Sequence, residues 1–288
     1  MDNFLEVSNL SKSFQNFQLQ DISFSLPKGY IMGLIGPNGS GKTTTVKLIL
    51  NMLKRSSGEV KVMGLDNIAD EKAVKSNLGV VFDSNYFCGE WTVAQAEAAV
   101  SLFYKNWDTS KFNGLLQRFH IDPAKRVKEL SRGMQMKLMI ACAFSYDAKL
   151  LILDEPTSGL DPVARDELLS ILSEYIEDGE HSVLFSTHIT SDLERTADYI
   201  TYISYGELFF SGGKDEFVDM FRIVKGGRDE LTLDLKEKLI GTRNFSTGFE
   251  ALVKTEDLKL FSRFDIEPAT IDNIMVFTNK KESGKNYE

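Results

Sequence analysis

The stretch Tyr30-Ile31-Met32-Gly33-Leu34-Ile35-Gly36-Pro37-Asn38-Gly39-Ser40-Gly41-Lys42-Thr43 decides the fold. Tyr30 to Gly36 is an apolar run of strand length that ends in a glycine turn. From Thr43 to Leu53 the apolar residues Val46, Leu48, Ile49, Met52 and Leu53 recur at helical spacing. Between the two lies the pattern G-x-x-x-x-G-K-[ST], in the strand–loop–helix context that gives it meaning. Gly36, Pro37, Asn38, Gly39, Ser40, Gly41, Lys42, Thr43 and Thr44 are the candidate nucleotide-binding residues. Glycines let the backbone curl so that successive N–H groups point at phosphate oxygens. The helix N-terminus adds partial positive charge. Lys42 brings a full charge to the β- and γ-phosphates, and the Thr43 hydroxyl is a hard oxygen ligand for Mg²⁺.

Further buried strands are read at Asn77 to Phe82, Lys149 to Asp154 and His181 to Ser186. Near-continuous apolar strands separated by helices predict a parallel sheet covered on both faces. The second of these strands ends in Asp154-Glu155. In an open parallel sheet the carboxyl ends of the strands are where ligands bind. Asp154 there suits Mg²⁺, and Glu155 suits proton abstraction from an attacking water.

The first 30 residues read differently. Glu6 to Leu10 and Phe17 to Leu26 alternate polar and apolar side chains, as antiparallel strands do. Residues 91–146 read as wholly helical, in three segments: Trp91 to Tyr104, Thr109 to Phe119 and Ser131 to Tyr146. Beyond Phe221, Lys225-Gly226-Gly227-Arg228 reads as a linker. Strand-like runs follow at Leu231 to Leu235 and Ala251 to Lys254, and a helix is expected from Pro268 to Phe277. Lys280 to Glu288 read as a frayed polar end.

Composition bounds the function. The 288 residues carry 33 Lys+Arg against 42 Asp+Glu, a net charge of −9. That balance argues against a general nucleic-acid binder. Two cysteines, Cys88 and Cys142, make no disulfide framework or zinc spacing, and a reducing cytosolic setting is expected. Cys142, in Leu138 to Phe144, reads as a buried apolar residue. The acidic start lacks the basic region of a signal peptide. No apolar run approaches the roughly 18–20 residues that span a bilayer.

Three further motifs narrow the reading. Leu130-Ser131-Arg132-Gly133-Met134 precedes Asp154, Ser158-Gly159-Leu160-Asp161 follows it, and Ser186-Thr187-His188 comes last. In order and spacing these resemble the signature, D-loop and switch histidine of the ATP-binding cassette (ABC) ATPases, over about residues 4–220. The resemblance implies an α/β P-loop NTPase core with an antiparallel β subdomain, a helical subdomain at about 84–146 and a small C-terminal α+β extension. Residues 1–221 would form the cassette and 222–288 the extension. It further implies ATP and Mg²⁺ as cofactors and two subunits closing head-to-tail on two ATPs. Lys42, Glu155 and His188 are then catalytic, and Thr43, Asp83 and Asp154 hold the metal. Ser131, Arg132, Gly133 and Asp161 contact nucleotide, and Phe14 matches the aromatic that stacks on adenine. Ser131 also stands where it would cap the following helix.

The chain departs from the family pattern twice. Asp83 stands where Gln is usual, and Arg132 where the signature's first Gly is usual. One cassette without a membrane span implies docking on a separate transmembrane permease, at the cytoplasmic face of the cell membrane. The cleft beside Asp83, with Phe82, Tyr86, Phe87 and Trp91, is the expected contact. The resemblance implies a second ATP-binding subunit as well, in a homodimer or a heterodimer. A soluble ABC-type ATPase acting on nucleic acid or the ribosome is the alternative. The short separation of Thr43 from Ser131 leaves no room for the coiled coil of DNA-repair members. The tail stretch Glu267 to Met275 resembles exporters of the bacitracin-resistance and antimicrobial-peptide type. That group includes staphylococcal exporters of amphipathic peptides, the phenol-soluble modulins. Peptides, antibiotics or other amphipathic molecules are the cargo this implies.

Overall fold

A computed structural model of the chain describes residues 2–227 and 230–283. Fourteen strands form three sheets among these residues. The first is antiparallel, in the order β2-β1-β4-β5: β1 is Asn3–Ser13, β2 Gln18–Pro27, β4 Ser57–Val62 and β5 Leu65–Asp66. The central sheet has the order β10-β9-β3-β8-β7-β6: β3 is Ile31–Ile35, β6 Leu78–Val81, β7 Leu150–Asp154, β8 Ser182–Thr187, β9 Tyr199–Ser204 and β10 Glu207–Gly213. Its strands are parallel except for the edge strand β10. The third sheet is antiparallel, in the order β12-β13-β11-β14: β11 is Phe221–Gly226, β12 Gly241–Asn244, β13 Phe249–Lys254 and β14 Asp265–Pro268.

All five residues of β3 and of β7, and all six of β8, are buried, as expected of parallel strands covered on both faces. One face packs against the antiparallel sheet in an apolar cluster that includes Leu5, Leu26, Met32, Leu34, Ile152 and Leu184. The other packs under the helices, in a cluster with Leu151, Phe185, Met139, Ile140 and Leu172. Cys142 belongs to that second cluster, as its apolar setting predicts, and Cys88 is exposed; both are free thiols.

The helical region holds Val93–Ser101, Thr109–Arg118 and Arg132–Ser145, each slightly shorter than the apolar pattern predicts. Thr92, Asp108 and Ser131 cap these helices, each accepting a backbone N–H in the first turn.

The C-terminal part differs from the sequence reading at several points. Lys225 and Gly226 are not a linker but the end of β11, paired with Glu250 and Phe249 of β13. Arg228 lies outside the described residues. The run Leu231 to Leu235 is no strand: a short helix, Leu233–Glu237, follows Thr232. Ala251 to Lys254 does lie in a strand, β13. Pro268 does not open a helix. It ends β14 on the sheet's outer edge, the kind of strand in which proline is tolerated. The helix is Ile271–Ser283, so Lys280 to Ser283 are helical, and residues 284–288 lie outside the described residues. Thr270 opens it by exchanging hydrogen bonds with Asn273.

The third sheet is not a detached unit. Phe221, Ile223, Leu252, Ile271, Ile274 and Phe277 belong to the same apolar cluster as Phe185 and Tyr202. The Tyr202 hydroxyl hydrogen-bonds the Thr278 hydroxyl at 2.8 Å.

Candidate nucleotide site

Strand register brings the motifs together. In the parallel sheet Ile35 of β3 lies opposite Thr187 of β8, and Asp154 of β7 opposite Ser186 of β8. Val81 of β6 lies opposite Leu153, so Asp83 emerges beside Asp154. Neighbouring strands are about 4.8 Å apart. The loop from Gly36, the Asp154-Glu155 pair and the turn to His188 therefore leave the sheet side by side. Glu155 and His188 line a cleft of about 630 Å³ with Phe17, Asp83, Ser158 and the loop residues Asn38, Lys42, Thr43 and Thr44.

Within the loop, Gly39 and Gly41 adopt φ of 79° and 115°, the left-handed region where a side chain is strained. Lys42 Nζ donates to the Gly36 carbonyl at 2.9 Å and the Pro37 carbonyl at 3.3 Å, and stands 3.7 Å from Glu155 Oε1. Burial holds the Lys42 pKa below the ordinary lysine value, against the opposing pull of Glu155 and Asp154.

Asp154 is buried and doubly hydrogen-bonded. Its Oδ1 accepts from Ser186 Oγ at 2.6 Å and from Thr43 Oγ1 at 3.2 Å. Glu155 takes φ 52°, a left-handed conformation unusual for a residue with a Cβ. Its N–H is held by both the carbonyl and the hydroxyl of Ser186, at 3.1 and 3.0 Å. Its carboxylate faces Lys42 through Oε1 and His188 through Oε2, the latter 2.8 Å from Nδ1. In this contact the imidazole Nδ1 is the donor and the carboxylate oxygen the acceptor.

Of the remaining predicted residues, Asp83 alone lines the cleft. Asp161 caps the helix Pro162–Tyr175, accepting from Val163 and Ala164 N–H at 3.0 Å each. Ser131 caps Arg132–Ser145 through the Met134 N–H at 3.3 Å, and Gly133 packs toward Ala164 and Leu160. None of these three lines the cleft. Phe14 is 43% exposed, its ring 6.2 Å from that of Phe17. Phe17, not Phe14, borders the cleft. Asp83 does line it, but its carboxylate is paired with the Arg132 guanidinium. The sequence reading did not single out Ser186 as a support of both acids. Its signal is positional, as the β8 residue level with Asp154.

Comparison with known proteins agrees with the geometry. The family profile for ABC transporters matches residues 19–158. The ABC transporter ATP-binding protein YtrB of Bacillus subtilis is 30% identical over 82% of this chain and 81% of its own length. The chain belongs to the ABC transporter ATP-binding proteins. The Nod factor export ATP-binding protein I of Sinorhizobium fredii is a further relative, 32% identical over 79% of this chain and 70% of its own length. Among solved structures, an ATP-binding subunit of an ABC transporter superposes with a TM-score of 0.68 at 27% identity, covering 74% of this chain and 91% of that one. The chain is thus an ATP-hydrolysing subunit of a transport system, and such ABC subunits work with separate transmembrane components. Among the described residues no helix is long and apolar enough to cross a membrane.

Proposed function

We propose that this ABC ATPase energises an exporter by docking on a separate membrane permease through one apolar groove. The groove carries the reading. It has a volume of about 400 Å³ and is lined by Leu50, Met52, Val80, Phe82, Tyr86, Phe103 and Tyr104, among others. It runs along the seam between the sheet and the helical region, and Phe82 adjoins Asp83 of the nucleotide cleft. Phe103, Met52 and Tyr86 are 84%, 54% and 51% exposed, a concentration of apolar surface that marks a binding face. Of the four aromatics expected at this contact, Tyr86 and Trp91 are exposed, Phe82 is half-buried and Phe87 is buried.

In this reading residues 1–221 are the cassette, with its helical part at 84–146, and 222–288 the extension. Lys42 neutralises phosphate charge, Glu155 accepts the proton of the attacking water, and His188 holds Glu155 in place. Thr43 and Asp154, hard oxygen donors 3.2 Å apart, fit Mg²⁺, with Asp83 as a third oxygen donor on the cleft wall. The ion supplies charge neutralisation at the phosphates when bound. The Ser40 hydroxyl, buried in the loop without a hydrogen-bond partner, suits a phosphate oxygen. Ser131, Arg132, Gly133 and Asp161 serve a second ATP-binding subunit, of the same or another kind, and Phe14 with Phe17 receives the adenine. Export draws support from the Nod factor relative. Peptides, antibiotics or other amphipathic molecules as cargo, and the cytoplasmic face of the membrane as the place of action, rest on the tail resemblance and the groove.

The test is purification of the tagged chain from native membranes in mild detergent, beside a Phe103→Asp variant that still binds ATP. A multi-span membrane protein that co-elutes with the unaltered chain and is lost with the variant supports the reading. Co-elution of ribosomes or DNA-repair proteins instead overturns it.

A further inference from the structure

The two positions where the chain departs from the family pattern meet each other. Asp83 stands just beyond β6, and Arg132 is the first residue of the helix Arg132–Ser145. Arg132 Nη2 donates to Asp83 Oδ1. The same guanidinium lies over Gly159, where an added Cβ would come within 3.1 Å of Nη1. One side chain thus joins the loop after β6, the start of a helix and the loop that follows Glu155.

The pair is half-exposed, with side-chain exposures of 44% and 59%. Such ion pairs add little to folding stability. Its effect falls instead on the charge of the cleft. Asp83, Asp154 and Glu155 all belong to the cleft region, against the single ammonium of Lys42. Thr43 and Ser186 satisfy Asp154 by hydrogen bonding but bring no charge. A polyphosphate must enter against these acids. A carboxylate at position 83 adds to the repulsion unless a cation stands on it, and Arg132 is that cation. A neutral residue at both positions, as is usual in the family, sums to the same charge.

We propose that Asp83 and Arg132 form one compensated pair, in which Arg132 sustains the nucleotide affinity of its own chain by neutralising Asp83. Arg132 is here a positioning residue, acting through Asp83. The proposal rests on the cleft being the ATP site.

The experiment is equilibrium binding of a fluorescent ATP analogue to the full chain at low ionic strength. EDTA is present, so that metal coordination by Asp83 does not enter. Arg132→Gly is expected to weaken binding about fivefold, the upper end for an exposed charge pair. The loss should shrink at high salt. Asp83→Gln is expected to bind at least as tightly as the unaltered chain. The double variant should return to within about twofold of it, and Arg132→Lys should keep most of the affinity. Because the double variant carries the same glycine, a loss caused by misfolding would persist there and would overturn the proposal. So would an equal loss from Arg132→Gly in both backgrounds, or no loss in either. If the unaltered chain fails to bind the analogue, the cleft assignment falls and takes the proposal with it. Binding by the unaltered chain with uncoupled variants removes the proposal alone.

Discussion

Replacing Ser186 by alanine tests how the two acids of the cleft are held. The Ser186 hydroxyl is fully buried and donates to Asp154 at 2.6 Å. It also accepts from the Glu155 N–H, but that N–H has the Ser186 carbonyl as a second acceptor at 3.1 Å. Alanine therefore leaves Glu155 satisfied. Asp154 loses its shortest hydrogen bond and keeps only Thr43 at 3.2 Å. A hydrogen bond to a charged group contributes about 1.5–3 kcal/mol. A loss of about 2 kcal/mol lowers the melting temperature of a chain this size by about 5 °C. The assay is thermal unfolding without ligand, with ATP and EDTA, and with ATP and Mg²⁺. Ligand stabilisation follows RT ln(1 + [L]/Kd). ATP with EDTA should stabilise both proteins equally, because the phosphate loop is untouched. The extra stabilisation from Mg²⁺ should fall by about 1.4 kcal/mol in the variant if the metal-dependent step weakens tenfold. A variant that melts with the unaltered chain and keeps the full Mg²⁺ increment would refute the assignment of Ser186 as the support of Asp154.

Glu155→Gln should bind ATP, hydrolyse it far more slowly and accumulate as a dimer by size-exclusion chromatography; unchanged turnover would contradict the role given to Glu155. Gly79→Ala places a Cβ 2.4 Å from Leu151 Cδ2 and 2.8 Å from Ala143 Cβ, and should cost about 1–3 kcal/mol in a denaturant titration. Phe277→Ala empties a fully buried site and should cost about 3–5 kcal/mol, in a single transition shared by the whole chain; a separate early transition would show the C-terminal sheet to be independent. His181 sits between Asp147, 3.0 Å from Nε2, and Asp178, 2.8 Å from Nδ1. Burial pushes both carboxyls up, but Lys149 and His181 outweigh it at Asp147, as the Glu180 N–H and His181 do at Asp178, and both pKa values end below the ordinary aspartate value. Their stabilisation is present above about pH 4 and is lost as pH falls through the lowered values. His181→Ala should flatten that acid limb of the stability curve, and an unchanged limb would exclude the bridge.

The legible parts of the sequence were those in which local pattern and tertiary role coincide. β3, β7 and β8 are buried on both faces, so their apolar runs read as strands without knowledge of their neighbours. The phosphate loop and the Asp154-Glu155 pair follow directly from such strands. β9, with Tyr199 to Ser204, carries the same signal and went unread. The C-terminal sheet is harder for a physical reason. All four residues of β14 are exposed, and it ends in a proline tolerable only on an edge. Nothing in Asp265 to Pro268 signals pairing until β11 is beside it. The Lys225-Gly226 end of β11 is glycine-rich and charged, and it is a strand because β13 fills its ladder. The ion pair between Asp83 and Arg132 joins a strand exit to a helix start, a juxtaposition that no spacing along the chain encodes.

The central place of β3 has a consequence for how the protein is made. β3 is flanked by β8 and β9, which leave the ribosome some 150 residues later. At about 5–20 residues per second, that gap lasts on the order of ten seconds. Throughout it both edges of β3 lack their partners, and the phosphate loop it carries has no frame. The nucleotide loop is thus among the first segments synthesised and among the last assembled. The phosphate loop gains the strands that hold it only after most of the cassette has been made.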